Sequence, residues 1–139
     1  MNIYFACSIT GGREFEAMYQ AIVHALVRGG HQVPTAHLAE SDVPAREAVI
    51  DPYEVYARDV AWIRNCDVLI AEVSVPSHGV GYEIGFALGN GKPVLALYEE
   101  GRKVSKMISG NPDAKLAVKV YQSAENAIEY IREFLSVHE

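Results

Sequence analysis

At 139 residues the chain is close to the usual size of one domain and long enough for a true hydrophobic core. Half of its residues are hydrophobic and 22% are charged, which places it among ordinary soluble globular proteins. A net charge of −6 argues against a surface for a nucleic-acid polymer, whereas a small phosphorylated ligand can still be held by a local site.

The chain opens on a strand-like run, Asn2-Ile3-Tyr4-Phe5-Ala6-Cys7, with no basic leader or cleavage site before it, so a cytoplasmic location is expected. Gly11-Gly12 breaks the chain. Phe15, Met18, Tyr19, Ile22 and Leu26 then recur at helical spacing until Gly29-Gly30 stops the helix. His31-Gln32-Val33 reads as a short second strand ended by Pro34, and residues 35–50 read as a long loop without a clear period. Asp51-Pro52-Tyr53-Glu54 is a strong helix start, with Asp51 as cap, Pro52 in the first turn and Glu54 at the capping-box position; the helix runs to about Asn65. Asp67 to Val73 has the continuous β-branched content of a strand buried in a parallel sheet. Ser74 to Gly79 is a turn, Val80 to about Gly89 a helix, and Pro93 to Tyr98 a strand. Residues 99–115 form a polar loop with one helical turn around Ser105 to Ile108. Leu116 to Tyr121 is the last strand, and Ser123 caps a final helix with Ile128, Ile131 and Leu135 on one face. No apolar run approaches membrane length, so no membrane partner is expected. Cys7 and Cys66 stand far apart and outside any CxxC or Cys/His pattern; two small buried thiols are expected, with no zinc and no disulfide.

This alternation predicts a single-domain α/β fold. The expected architecture is a doubly wound five-stranded parallel sheet, flavodoxin-like or Rossmann-like, in the order 2-1-3-4-5. Such sheets bind ligands beyond the carboxyl ends of their strands, near the switch point between strands 1 and 3. Ser8 to Arg13, Ser74 to Glu83 and the chain from Tyr98 onward are therefore the segments of interest.

Ser8-Ile9-Thr10-Gly11-Gly12 joins the first strand to the first helix, where glycines allow close approach and a helix start offers N–H groups to an anion; a plain tight turn is the alternative. The loop is neither GxGxxG nor a P-loop, and Pro93 after Gly91-Lys92 rules out a Walker ending there. Pro76 to Glu83 joins the third strand to its helix, and Ser77 with the N–H groups near Gly79 and Gly81 is suited to a phosphate. Glu83 borders the apolar stripe of Val80, Ile84, Ala87 and Leu88, where a carboxylate needs a partner, and the helix dipole favours its ionised form. Asp59 shares a face with Tyr56, Val60 and Ile63, which tends to raise its pKa as a general acid requires; an ion pair with Arg58 or Arg64 is the alternative. Two carboxylates converging on one cleft suit glycosyl transfer. Tyr4 inside the first strand is compatible with plain core packing, and Trp62 with core or a subunit interface.

Taken together these stretches resemble the nucleoside 2-deoxyribosyltransferase superfamily, most closely its 2'-deoxynucleoside 5'-phosphate N-hydrolase branch. The resemblance spans nearly the whole chain. It rests on Ile3-Tyr4-Phe5 leading to Ser8-Ile9-Thr10-Gly11-Gly12-Arg13-Glu14, on Arg58-Asp59-Val60-Ala61-Trp62, on the long stretch from Ala71 to Gly85, and on Ser105 to Gly110. The resemblance implies Glu83 as nucleophile, Asp59 as acid and base, and Tyr4 positioning Glu83 and the sugar. Ser77, Gly79 and the loop of Ser8, Ile9, Thr10, Gly11 and Gly12 would hold the 5'-phosphate, with Ser105 arriving from the partner of a homodimer. Thr10 stands where the animal members carry a basic residue. The expected substrate is a small deoxynucleotide, and no metal or redox cofactor is needed. A deoxyribosyl transferase, a ribonucleotide hydrolase acting on nucleotides such as CMP, and a silent nucleotide- or flavin-binding module are the rival readings. A redox module has no evident use for Asp59 and Glu83.

Overall fold

The computed structural model describes residues 1–10 and 13–139, so the expected Gly11-Gly12 part of the anion loop lies outside the described residues. Among the described residues a parallel sheet of four strands, β1 (Ile3–Ala6), β2 (Val68–Glu72), β3 (Val94–Glu99) and β4 (Leu116–Tyr121), runs in the order β1-β2-β3-β4. The α/β class and the parallel sheet hold, but the expected fifth strand is reduced to one parallel bridge, Asn2 with Gln32, on the outer side of β1. Pro34 lacks the N–H to extend that ladder. Beyond it the buried Thr35 Oγ1 accepts the Phe5 N–H at 2.9 Å, in the place of a strand carbonyl.

Successive strand residues face opposite sides of the sheet, and the two sides carry separate cores. Ile3 and Phe5 pack with Tyr19, Ile22 and Leu26 of α1 (Glu16–Arg28) and with Ile131 and Leu135 of a later helix. Tyr4 and Ala6 pack on the other side with Ile63 of α3 (Pro52–Asn65) and with Val80 and Ile84 of α4 (His78–Gly89). The helix ends are chemically specified. Gly30, at φ +84°, ends α1 in the left-handed conformation that favours glycine. Asp51 caps α3 by accepting the Tyr53 N–H at 2.8 Å, and Ser77 caps α4 by accepting from Val80 at 3.3 Å. Ser123 caps the last helix, α6 (Ala124–Ser136), through Asn126 at 3.1 Å.

The segment expected as a structureless loop is largely helical. It holds a 3-10 turn over Ala36–Ala39 and a short helix, α2 (Val43–Ala48), which bury Leu38, Ala39 and Val43. Neither is long enough to repeat an apolar period. The helical turn expected near Ser105 is α5 (Lys106–Ser109), capped by Ser105 through Met107 N at 3.2 Å. Cys7 and Cys66 are free and buried, and burial pushes the Cys7 thiol up to about 12.

Candidate active site

At the carboxyl ends of β1 and β2 a cleft of about 510 Å³ opens between α2, α3 and the start of α4. Asp59 from α3 and Glu83 from α4 both line it, with Ile9, Thr10, Ser77 and Gly79. Ser8 does not: it is fully buried, its Oγ has no partner among the described residues, and its carbonyl accepts from Arg13 at 3.1 Å. Ser105 is also absent from this wall. It lines a second cleft of about 460 Å³ on the other side of Ser77 and Tyr82, with Val104, Met107 and Ile108.

Tyr4 is fully buried beneath Glu83. Its hydroxyl lies close enough to Glu83 to ease that carboxyl's ionisation, yet it makes no well-aligned hydrogen bond among the described residues. Burial first, then the charges of Glu83 and Asp59, hold the phenol far above its ordinary pKa, so Tyr4 acts as a neutral dipole. With no exposed surface, it reaches the carboxylate and not open cleft space.

Burial lifts Glu83 from an ordinary 4.5 to about 7, helped by Asp59 and opposed by Tyr4 and Arg58. This reverses the expectation that the helix dipole keeps Glu83 ionised. Glu83 stands in the second turn of α4, beyond the reach of the dipole, and desolvation prevails. Its Oε1 folds back toward the start of the helix, where a β-carbon on Gly79 would meet it at 3.6 Å and Ser77 Oγ at 3.9 Å. The bare Gly79 leaves the space between the Glu83 carboxyl oxygen and the Ser77 hydroxyl open.

Burial also raises Asp59 above its ordinary 3.8, against the pull of Arg58. The ion pair weighed as the alternative exists: Arg58 Nε donates to Asp59 Oδ1 at 2.8 Å. It coexists with the cleft position, because Oδ2 has no hydrogen-bond partner among the described residues. The other end of Arg58 grips Glu47 of α2, at 2.6 Å through Nη2 and 3.2 Å through Nη1. Its guanidinium lies 5.0 Å from the centre of the Trp62 ring, so Trp62 supports the pair and is neither deep core nor a free surface.

Glu47 and Glu72 carry no expected role. Glu72 is fully buried at the end of β2 and accepts from Tyr121 Oη at 2.6 Å and from Ser74 N and Oγ. Ser74 Oγ in turn accepts from Glu99 N at 2.9 Å. This network pins the turn that presents Ser77. An acidic residue ending an apolar strand was the visible signal. Glu47 left none, since its partner lies on another element.

The chain is similar to known proteins. The family model described as nucleoside 2-deoxyribosyltransferase matches residues 3–129. A 5-hydroxymethyl-dUMP N-hydrolase of Mus musculus is 43% identical over 132 residues, covering 92% of this chain and 75% of that protein. A putative 2'-deoxynucleoside 5'-phosphate N-hydrolase 1 of Methanosarcina mazei is 40% identical over 134 residues, covering 96% and 83%. Among solved structures, a CMP N-glycosidase of Clostridium botulinum superposes with a TM-score of 0.73 at 20% identity, covering 95% of this chain and 98% of that one, which is a likeness of fold. The two-carboxylate cleft thus lies in a chain that belongs to the nucleoside 2-deoxyribosyltransferase family.

Proposed function

We propose that the protein hydrolyses the N-glycosidic bond of 2'-deoxynucleoside 5'-monophosphates to free base and 2-deoxyribose 5-phosphate. The observation that carries this reading is the pair of largely buried carboxyls, Asp59 and Glu83, opening into one cleft at the strand ends. The relatives named above as N-hydrolases of such nucleotides support it at about 40% identity. Glu83 attacks the anomeric carbon as Asp59 gives its proton to the leaving base. A water, deprotonated by Asp59, then breaks the glycosyl–Glu83 ester, which restores both carboxyls. The missing 2'-oxygen eases the build-up of positive charge on the sugar.

Burial disfavours two negative charges side by side, so near neutrality the pair retains one proton. Burial raises both carboxyls above their ordinary values, Glu83 to about 7. The reaction draws on the arrangement with Asp59 protonated and Glu83 ionised.

For the 5'-phosphate, Ser77, the backbone at Gly79 and Thr10 are neutral donors on the cleft wall. No Lys or Arg lines this cleft among the described residues. The phosphate's charge is therefore met from elsewhere, and we infer that the loop bearing Lys103, Ser105 and Lys106 of a second subunit supplies it. The test is to incubate dGMP, 5-hydroxymethyl-dUMP, GMP, CMP and deoxyguanosine separately, with and without a second free base, and to resolve the products by liquid chromatography. Free base and 2-deoxyribose 5-phosphate from the deoxynucleotides is the expected outcome. Efficient cleavage of deoxyguanosine, or a new nucleoside, assigns a transferase; preference for GMP or CMP assigns a ribonucleotide hydrolase.

A further inference from the structure

We propose that Glu47, on α2, is a positioning residue for the reaction. Its carboxylate engages both terminal nitrogens of Arg58, turns only Nε toward Asp59 Oδ1, and offsets the guanidinium's charge beside the proton donor. The inference rests on the hydrolase reading above.

Neighbours at i and i+1 on a helix do not normally face each other. Arg58 and Asp59 meet because the Arg58 side chain runs over the Trp62 ring toward α2, where Glu47 holds its far end. The three groups are shielded: the Glu47, Asp59 and Arg58 side chains are 11%, 19% and 23% exposed, so little solvent screens them. A guanidinium prefers a two-pronged grip on a carboxylate. Glu47 occupies that grip, which leaves Asp59 a single bond and an unpartnered Oδ2 in the cleft. Without Glu47, the fork is free to close on Asp59 and hold it ionised, the state in which it cannot give a proton.

The groups that face Asp59 are Arg58 on its own helix, Glu47 from α2, His37 from the 3-10 turn, Glu83 from α4 and Tyr4 from β1. Arg58 favours ionised Asp59, and Glu47 opposes it. Glu47 thereby enlarges the productive arrangement, in which the shared proton sits on Asp59.

The experiment compares wild type, Glu47→Gln, Glu47→Asp, Arg58→Gln and the double Gln variant. It reads the Asp59 carboxyl titration by carbon-13 NMR, which needs no turnover, and the pH dependence of kcat/KM on the preferred deoxynucleotide. Glu47→Gln is expected to move the Asp59 titration and the acid limb down by about one pH unit, with an optimum rate lower by about tenfold. Glu47→Asp keeps the charge and moves both less. Arg58→Gln moves the limb up, and adding Glu47→Gln to it moves it down by less than Glu47→Gln does alone, because only the direct repulsion of Asp59 by Glu47 is then left to lose. An Asp59 titration unmoved in folded Glu47→Gln overturns the proposal. So does an equal shift with and without Arg58, which also decides the matter if Glu47→Gln alone fails to fold. Loss of rate with a fixed limb assigns Glu47 a merely structural role. A wild-type protein that cleaves none of the nucleotides defeats the hydrolase reading, while the NMR titration still judges the Glu47–Arg58–Asp59 coupling.

Discussion

A buried carboxyl that titrates near 7 opposes folding at the pH where it would work. Below its ordinary 4.5, Glu83 is protonated in both folded and unfolded chains and contributes no penalty. As pH rises through about 7, the unfolded chain ionises first, and stability present at low pH is lost, on the order of 3 kcal/mol once both states are ionised. Glu83→Gln is therefore expected to raise the thermal midpoint at pH 8, with the gain vanishing near pH 4, while turnover falls by about 10³-fold or more. Calorimetry and product assays on one preparation check both. A variant that is destabilised at pH 8, or that keeps near-wild-type turnover, removes Glu83 from the proposed role. The rate itself is expected to fall above about pH 7, where the pair loses the proton it shares. Tyr4 is expected to tune that limb. Its hydroxyl lowers the Glu83 pKa, so Tyr4→Phe is expected to shift the basic limb upward and lower the optimum rate, as more of the shared proton stays on Glu83. A pH profile with an unmoved basic limb would reduce Tyr4 to core packing.

Among the elements, the start of α4 has a capping task and a proposed ligand-binding one, and the two can be separated. Ser77 Oγ accepts the Val80 N–H, which leaves its own proton free for a ligand in the cleft it lines. Ser77→Ala is expected to lower stability by about 1 kcal/mol and to raise KM. Ser77→Asp keeps a capping oxygen but repels a phosphate, so it is expected to retain stability while raising KM further; denaturant melts and initial rates distinguish the two. Equal KM values in all three proteins would exclude a phosphate contact at Ser77. Caps of this kind explain why so much of the fold was legible in the sequence. Asp51 and Ser123 mark helix starts by local chemistry, whereas Ser77, read as part of a turn, caps α4, which starts two residues before the expected Val80; the apolar runs of β1 to β3 announce buried parallel strands. The strand expected at residues 31–33 failed because pairing is decided by the partner edge, where a threonine hydroxyl replaced a ladder bond. The helices within 35–50 were too short to show a period. With α2 read as loop, the Glu47–Arg58 contact across 11 positions had no visible frame. Asp59 and Glu83 could be placed at one strand edge from topology alone, but which of them ionises first depends on burial, a tertiary quantity that no local pattern encodes.

At the scale of the whole molecule, charge and surface bear on the proposed second subunit. The protein carries a net charge of −6, and its cleft is walled by Glu47, Asp59 and Glu83, yet the proposed substrate is a phosphate dianion. Beside that cleft, across Ser77 and Tyr82, lies an apolar hollow with Met107 84% and Tyr82 56% exposed, large side chains left facing water. Ser105 lines that hollow with Lys103 and does not line the cleft of its own chain's carboxylates. A two-fold pairing through this face would bury the apolar side chains and carry Ser105 and its flanking lysines toward the other subunit's cleft. Sedimentation at assay concentration is expected to show a dimer. Mixing of two crippled variants is the sharper test. Ser105→Asp keeps an oxygen to cap α5 but repels phosphate, and Glu83→Gln lacks the nucleophile. If each site takes its cleft from one chain and Ser105 from the other, random exchange makes about a quarter of all sites intact, each pairing a Ser105→Asp chain's own Glu83 with the other chain's Ser105. Activity near that fraction after subunit exchange is the expected result. An active monomer, or a mixture no more active than its components after verified exchange, would show that each chain completes its site alone.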